Sequence, residues 1–360
     1  KTLRKTLCSY VSMWFKKKQK LNQIEKTLRK TLCSYVSMWF KKKQKLNQIE
    51  KTLRKTLCSY VSMWFKKKSS MSSIKKYLSL IKFSHTIFAM PFAMIGFFLG
   101  VKVVDLQLTA ASTWKIFALV VLCMIFARSA AMAFNRWLDA NFDAKNPRTA
   151  IREIPSGVIR SDKALIFVII NCLAFIACCY FINPLCFYLS FVALFVVLVY
   201  SYTKRFTALC HLVLGVGLSL APIGAYLAVT GVFNLLPVLF SITVLFWVSG
   251  FDIIYALQDE EFDKSNQLHS IPAALGKSKA LRVSELLHFL SAVCIALAGF
   301  YGGFGWWYWV GVALFIGMLI YQHSIVHPTD LSRVNIAFMT ANGIASVVFS
   351  IFVLLDLYTS

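Results

Sequence analysis

The feature that most constrains the fold of this chain is a series of apolar segments long enough to cross a lipid bilayer. A transmembrane helix needs about 20 predominantly apolar residues. The bilayer core offers no water to unpaired backbone groups, so segments of this kind span it as helices. The predicted spans lie near residues 79–101, 114–137, 164–182, 186–203, 209–230, 234–257, 284–302, 305–322 and 335–356. We therefore predict an all-α polytopic membrane protein, a bundle of about nine transmembrane helices.

Basic residues mark one side of this predicted bundle. The loops that follow the second, fourth, sixth and eighth spans carry Lys and Arg, whereas the opposite loops carry almost none beyond Lys102 and Lys115. Cytoplasmic loops of membrane proteins carry such an excess of positive charge. We therefore expect the even-numbered spans to end in the cytoplasm, and the odd span count then puts Ser360 outside.

The first 70 residues differ from the rest of the chain. The string KTLRKTLCSYVSMWFKKKQKLNQIE occupies residues 1–25, recurs identically at 26–50 and recurs again, up to FKKK, at 51–68. Natural repeats diverge at surface positions, so this identity indicates a recent duplication or an extension of the reading frame. We expect a basic tandem-repeat leader over 1–70 outside the native fold, and a transmembrane domain over 71–360 that starts near Met71. The alternative is that the leader, which is basic and amphipathic, adheres to a membrane surface.

The strongly basic total charge belongs mainly to this leader. The chain has a formal net charge of +24, but 20 of its 39 Lys and Arg residues lie within the first 70, and residues 71–360 carry only +6. A nucleic-acid partner inferred from the total would rest on the wrong segment. We therefore predict the lipid bilayer, and no nucleic acid, as a partner of this chain.

Cysteine and histidine give little sign of a metal or redox centre. The seven cysteines after residue 70 lie in or beside apolar segments without a CxxC pair, which predicts packing residues and no disulfide framework. His323 and His327 have a spacing that can hold a metal, but no third ligand is near them in sequence, and Pro328 ends the helix. We interpret them as an interfacial pair.

Polar side chains interrupt the end of the second span on a single helix face. Arg128, Asn135, Asp139 and Asp143 fall within about 80° of one another at 100° per helical residue. An ionised side chain at membrane depth costs about 2.5 to 3.5 kcal/mol, so such a cluster needs a counter-charge. Carboxylate and amide oxygens are hard ligands that suit Mg²⁺ together with water and phosphate oxygens. The pattern predicts a Mg²⁺ site.

The end of the sixth span repeats this arrangement. Asp252, Tyr255, Asp259 and Asp263 fall within about 80° of one another by the same count. A single acidic run after an apolar helix is usually a solvated helix end. Two such runs, each at the end of a predicted span, favour a shared site in which the second and sixth spans face each other across a central cavity open to the cytoplasm.

These two motifs resemble those of the UbiA family of intramembrane prenyltransferases. The resemblance covers roughly residue 71 to the C-terminus, and the string NRxxDxxxDxxNPRTxxREIPSG is most similar to the branch that prenylates 4-hydroxybenzoate, including relatives in menaquinone synthesis. It implies Mg²⁺-dependent transfer of a polyprenyl group from a polyprenyl diphosphate to an aromatic acid in quinone biosynthesis. It also implies an integral protein of a bacterial inner membrane, with its active site facing the cytoplasm.

The resemblance implies roles for basic residues between the motifs. Tyr200 and Lys204 in YSYTKR match the family element that reaches the diphosphate, although alone they would be read as a membrane-interface anchor. Arg148 and Arg152, in the RTxxR element after the first motif, are further candidates for binding the diphosphate. Asn135, Asp139, Asp143, Asp259 and Asp263 are the candidate metal ligands.

The implied reaction needs a base for the proton that leaves the aromatic ring. Asp252 lies two turns deeper than Asp259 and is a candidate, with Tyr255 as its catalytic companion. The alternative for Asp252 is a residue that orients a metal ligand. Arg128, buried deeper still, suits the carboxylate of the acceptor because a planar guanidinium can form two parallel hydrogen bonds. Its alternative is a structural arginine bonded to neighbouring helices.

Three other functions remain open from the residues alone. A naphthoate or another menaquinone-pathway compound could be the acceptor. Rings of Asp near helix ends can also line the path of a divalent-cation transporter, although the basic set of Lys204, Arg148 and Arg152 would repel a cation. A lipid-binding scaffold without catalysis would not require both acidic motifs.

Overall fold

A computed structural model describes residues 77, 79–80, 89–104 and 109–359. The chain divides into two units, residues 1–72 and 73–360. The predicted leader over 1–70 lies outside the described residues, and the description that follows concerns the second unit.

The described part of the chain is helical and contains no β-strand. Eight of its helical segments are long and apolar enough to cross a membrane, and they coincide with eight of the predicted spans. Of the first predicted span, the structure describes a helix of 14 residues. The helices are α1 (Met90–Val103), α2 (Ala110–Leu138), α3 (Ala140–Lys145), α4 (Ser161–Ile182), α5 (Pro184–Thr203), α6 (Cys210–Thr230), α7 (Leu235–Ala256), α8 (Glu260–Ser265), α9 (Ile271–Leu275), α10 (Lys277–Gly302), α11 (Trp306–Ile325) and α12 (Asn342–Thr359).

Short polar side chains begin several of the long helices. The Oδ1 of Asn183 accepts a hydrogen bond from the Cys186 N–H at 2.8 Å, and Pro184 follows as the first residue of α5. The Oγ1 of Thr109 caps α2 in the same way. Such caps satisfy backbone donors that the first helical turn leaves unpaired, which matters most where water is scarce.

Helix α7 lies at the centre of the bundle, where it packs most extensively against α6 and α10. Its Trp247 is fully buried among aromatic side chains of α1, α11 and α12. The indole N–H donates to the Oδ1 of Asn342 at 2.8 Å, and the side-chain amide of Gln322 donates to the same oxygen at 2.8 Å. These bonds satisfy polar groups that would otherwise be costly to bury.

The two helices that carry the acidic motifs, α2 and α7, are each interrupted where the apolar segment ends. The sequence predicts instead that each motif lies on one continuous helix. Helix α2 ends at Leu138 and α3 begins at Ala140, so Asp139 lies at the break with φ −91° and ψ 8°. Helix α7 ends at Ala256, and a 3₁₀ turn precedes α8. Aspartate is a poor interior helix residue, because its short carboxylate competes for nearby backbone groups. Neither motif therefore lies on one continuous α-helix, as the count of 100° per residue assumes.

The prediction that His323 and His327 form a pair is wrong. His323 lies 2.9 Å from His288 of α10, Nε2 to Nδ1, whereas His327 forms a backbone bridge with Asp330. The reason is that α10 and α11 pack side by side, and Pro328 directs the chain away after α11. The seven described cysteines are all free.

Candidate active site

One cavity of about 580 Å³ is lined by all twelve predicted site residues. Residues of α2, α4, α5, α6 and α7 enclose it, so the second and sixth spans both contribute to its wall. Its lining includes Cys186 near the start of α5 and Lys204 just past the end of that helix, a separation of about 27 Å at 1.5 Å per residue. Charged side chains gather at the Lys204 end, and the rest of the wall is mostly apolar.

The carboxylates of the first motif are paired within this charged end. Asn135 donates from Nδ2 to the Oδ2 of Asp139 at 3.2 Å, and the guanidinium of Arg205 lies 3.5 Å from the Oδ1 of Asp139. Asp143 is buried and accepts from Nη1 of Arg152 at 2.8 Å on both oxygens. The motif therefore faces Arg152, one of the residues predicted to bind the diphosphate.

Asp139 is held in a state that favours binding of a cation. Burial, followed by repulsion from the Asp143 carboxylate, raises the pKa of Asp139 to about 6, against the attraction of Arg205 and Lys204. A nearby divalent ion would stabilise the ionised form that burial disfavours.

The second motif contacts two more of the four predicted diphosphate ligands, Arg148 and Lys204. Arg148 donates two hydrogen bonds to Asp259, one from Nε to Oδ1 at 3.1 Å and one from Nη2 to Oδ2. Its Nη1 donates to the Tyr255 hydroxyl at 2.9 Å. Lys204 lies 2.8 Å from the Oδ1 of the fully buried Asp263. Burial alone would lower the pKa of Lys204, but the Asp263 carboxylate outweighs it and raises that pKa above its usual value.

Acidic and basic groups are thus matched one to one at this end of the cavity. Each of the four carboxylates at this end contacts its own Arg or Lys, and three of these four cations are residues that the sequence predicts to bind a diphosphate. The pairs are Asp139 with Arg205, Asp143 with Arg152, Asp259 with Arg148, and Asp263 with Lys204.

The donor set fits Mg²⁺ that is shared with a substrate. Within the described ranges, no three His, Cys, Asp or Glu side chains are grouped closely enough to hold one ion by themselves. Mg²⁺ typically takes only one or two carboxylates and completes its shell with water and phosphate oxygens. Each motif offers two carboxylates beside the cations that suit a phosphate, so the residues present fit such an ion.

Arg128 and Tyr200 lie deeper along the cavity wall. Arg128 precedes Asp139 by eleven residues, about 16 Å along a helix. The Nε of Arg128 is buried and has no hydrogen-bond partner, and Tyr200 lines the same cavity. A buried guanidinium with a free donor is suited to accept an anionic ligand.

Several residues of the site were missed by the sequence analysis. His211 of α6 bonds the predicted base Asp252, Nδ1 to Oδ2 at 2.7 Å, and Arg205 contacts Asp139. Asn146 donates to Asp259 at 3.3 Å. Arg205 had been read only as a loop charge, and no local pattern distinguishes His211 from a buried packing histidine. For Asn146, its position two residues before the RTxxR element was a signal in the sequence that it belongs to the site.

Comparisons with known proteins give a family match and similar sequences. Residues 89–344 match the UbiA prenyltransferase family. The 4-hydroxybenzoate octaprenyltransferase of Francisella tularensis subsp. mediasiatica is 29% identical over 234 residues, which cover 64% of this chain and 81% of that protein. The protein of the same name from Nitrosospira multiformis is 29% identical over 231 residues, 64% of this chain and 79% of that protein.

Solved structures share the fold. The apo structure of a UbiA homologue from Aeropyrum pernix K1 has a TM-score of 0.64 and 28% identity, and the match covers 76% of this chain and 97% of that chain. A UbiA homologue from Archaeoglobus fulgidus bound to DMAPP and Mg²⁺ has a TM-score of 0.63 and 20% identity, with coverage of 79% and 100%.

Proposed function

The chain belongs to the UbiA prenyltransferase family, and we propose that it transfers a polyprenyl group from a polyprenyl diphosphate to 4-hydroxybenzoate in quinone biosynthesis, with Mg²⁺. That it is an integral membrane prenyltransferase follows from the family and from its apolar helices. The observation that carries the finer proposal is the layout of the cavity: paired acidic and basic groups at one end, an apolar wall beyond them, and Arg128 with a free donor between the two.

The charged end of the cavity binds the diphosphate. Lys204, Arg148 and Arg152 donate to its oxygens, and Tyr200 lines the wall above them. Asn135, Asp139, Asp143, Asp259 and Asp263 are the residues that would hold Mg²⁺, which supplies neutralisation of the leaving group when bound.

The charged side chains are already paired before the substrate binds, which lowers the free-energy cost of exchanging their partners for the substrate. Unpaired charges are costly to bury, and here every cation leaves a carboxylate partner when it turns to a phosphate oxygen. The carboxylates would take a divalent ion as their new partner and the cations would take the diphosphate, so neither set of buried charges would be left without a partner.

The apolar part of the cavity holds the prenyl chain and excludes water. Loss of diphosphate leaves an allylic cation, which water would quench. Tyr255 lines the cavity beside the charged end, with its ring face 5.3 Å from the guanidinium carbon of Arg148. Tyr255 thus holds the Arg148 guanidinium through this ring contact and through its hydroxyl, which accepts from Nη1 at 2.9 Å, and this gives Tyr255 its role beside the diphosphate.

Arg128 and Asp252 act on the acceptor. The guanidinium of Arg128 grips the carboxylate of 4-hydroxybenzoate, since its Nε is otherwise unpaired. Asp252, whose side chain is 23% exposed to the cavity, accepts the proton that the ring carbon releases after it has bonded to the allylic carbon.

We place the charged end at the cytoplasmic face of a bacterial inner membrane. The basic loops lie at this end, where the chain leaves α2, α5 and α7. The two 4-hydroxybenzoate octaprenyltransferases named above are bacterial proteins. Right-side-out and inverted vesicles test the orientation, because only inverted vesicles should admit added diphosphate to the site.

The test of function is a transfer assay with a choice of acceptors. Membranes that contain the protein are incubated with Mg²⁺, a labelled polyprenyl diphosphate and a panel of phenolic and naphthoic acids. Label in 4-hydroxybenzoate supports the proposal, and label in a naphthoic acid alone overturns the acceptor. Mg²⁺ flux into proteoliposomes without any transfer would overturn the enzyme assignment itself.

A further inference from the structure

A second pair of titratable side chains lies in the cavity away from the diphosphate end. Asp252 of α7 precedes Asp259 by seven residues, and its Oδ2 is 2.7 Å from the Nδ1 of His211. The His211 side chain is nearly inaccessible, at 4% exposure, whereas that of Asp252 is 23% exposed. His211 therefore lies behind Asp252, which alone of the two presents a substantial surface to the cavity.

A backbone contact indicates which ring nitrogen carries the proton in neutral His211. The Ile271 N–H donates to the Nε2 of His211 at 3.4 Å. A nitrogen that accepts a hydrogen bond presents its lone pair, so in the neutral imidazole the proton is on Nδ1. His211 therefore donates to the Oδ2 of Asp252. Within the described residues Oδ1 has no hydrogen-bond partner, so that oxygen is available to the cavity.

The segment His269–Ile271 ties this pair to the diphosphate end. The N–H of its first residue donates to the Lys204 carbonyl at 2.7 Å. The hydroxyl of its second residue donates to the Oδ2 of Asp263 at 2.9 Å, and the N–H of its third reaches His211. Three consecutive residues thus set the position of His211 relative to Lys204 and Asp263.

We infer that His211 is a positioning residue for removal of the ring proton, acting through Asp252. The inference rests on the proposed function. The bond between the allylic carbon and the diphosphate oxygen breaks, and the oxygen keeps the electron pair. The ring carbon next to the phenol carbon bonds to the allylic carbon. Its proton then passes to the Oδ1 of Asp252, and the C–H electron pair restores the aromatic ring. His211 neither gains nor loses a proton. Its hydrogen bond keeps the Asp252 carboxylate ionised and oriented toward the ring carbon.

Two substitutions separate this role from simple packing. His211→Leu keeps most of the bulk and removes the N–H, whereas His211→Asn retains an amide N–H close to the position of Nδ1. The full-length protein is assayed with Mg²⁺, geranyl diphosphate and 4-hydroxybenzoate, either unlabelled or deuterated at both ring carbons next to the phenol carbon. The ratio of the two rates reports whether proton removal limits turnover.

We expect wild-type protein to use both acceptors at the same rate, because ionisation of the diphosphate is the slow step. His211→Leu should lower kcat by about 10- to 100-fold, the usual effect of losing a supporting hydrogen bond to a reactive group, with the KM of either substrate unchanged. It should also make the deuterated acceptor slower than the unlabelled one. His211→Asn should recover most of kcat and abolish the isotope effect.

A loss of kcat without an isotope effect, or equal impairment of the Asn and Leu variants, overturns the inference. If the Leu variant does not fold, His211→Gln replaces it, because the Gln amide nitrogen falls nearer to Nε2 than to Nδ1. Wild-type activity in all variants also overturns the role of His211 but leaves the proposed function intact. Absence of transfer by the wild-type protein counts against the proposed function instead.

Discussion

At Asp139 the demands of folding and of the proposed reaction oppose each other. Its burial and its neighbour Asp143 raise its pKa to about 6, so the ionised form destabilises the site when no divalent ion is bound. The same features make a cation favourable there. For the other three carboxylates the cost of burying a negative charge is reduced by a close cation, since Asp143, Asp259 and Asp263 each contact an Arg or Lys within 3 Å.

Asp139→Ala and Asp259→Ala should each abolish prenyl transfer and leave the protein inserted and folded. We expect a loss of about 100-fold or more, because several kcal/mol of charge stabilisation is removed from the leaving group. Turnover at saturating Mg²⁺ measures the effect, and thermal unfolding in detergent checks the fold. Asp162→Ala is the matched control: this carboxylate is exposed, pairs with Arg160 and does not line the cavity. Near-normal turnover in either site variant would remove the metal assignment.

Arg128→Lys should raise the KM for the aromatic acid far more than the KM for the prenyl diphosphate. Lysine keeps the charge but loses the planar fork that can bind a carboxylate through two hydrogen bonds. Steady-state kinetics with each substrate varied in turn measure the two constants. Equal increases in both, or loss of folded protein, would show that Arg128 is structural.

At the scale of the helices, the packing of α1 on α6 allows no side chain at Gly96. A Cβ built there would lie 2.0 Å from the carbonyl oxygen of Pro222, a backbone atom that cannot move aside easily. At Gly224, two residues after Pro222 in α6, a Cβ would meet nothing within 4 Å. The two glycines therefore differ in what an added methyl group meets.

Gly96→Ala should lower the free energy of unfolding by roughly 1–3 kcal/mol, as overpacking does, whereas Gly224→Ala should leave it unchanged or raise it slightly, since alanine is the better helix former. The midpoints of thermal unfolding for the two variants in one detergent provide the comparison. The interpretation of the α1–α6 contact fails if both variants melt at the wild-type temperature.

At the scale of the whole molecule, every candidate site residue lies between Arg128 and Asp263, and the family match covers residues 89–344. The identical repeats that end at residue 68 contribute no residue to either acidic motif. The charge that dominates the chain as a whole is therefore separate in sequence from the charges that line the cavity.

A protein that begins at Met71 should insert, fold and transfer prenyl groups at the rate of the full chain. Both proteins are expressed side by side, and membrane content and transfer activity are measured at equal protein amounts. Loss of insertion or activity in the shorter protein would show that the basic repeat is a working membrane anchor.

The sequence by itself determined the helices and identified polar side chains that line the cavity. Apolar runs of membrane length must satisfy their backbone groups within each run, so the helices are a local property, and eight predicted spans coincide with helices of membrane length. Carboxylate and amide oxygens at regular spacing likewise indicated a cation site from the residues of one segment alone. All twelve candidates line one cavity.

Only the tertiary structure decided which groups meet. Arg148 contacts Asp259 across 111 residues of chain, and His211 contacts Asp252 across 41. Such pairs depend on which helices pack together, and helical periodicity describes the faces of one helix only. The breaks at Asp139 and after Ala256 were missed because a projection assumes one continuous helix. The partner of each carboxylate was therefore set by packing between helices, which no single segment encodes.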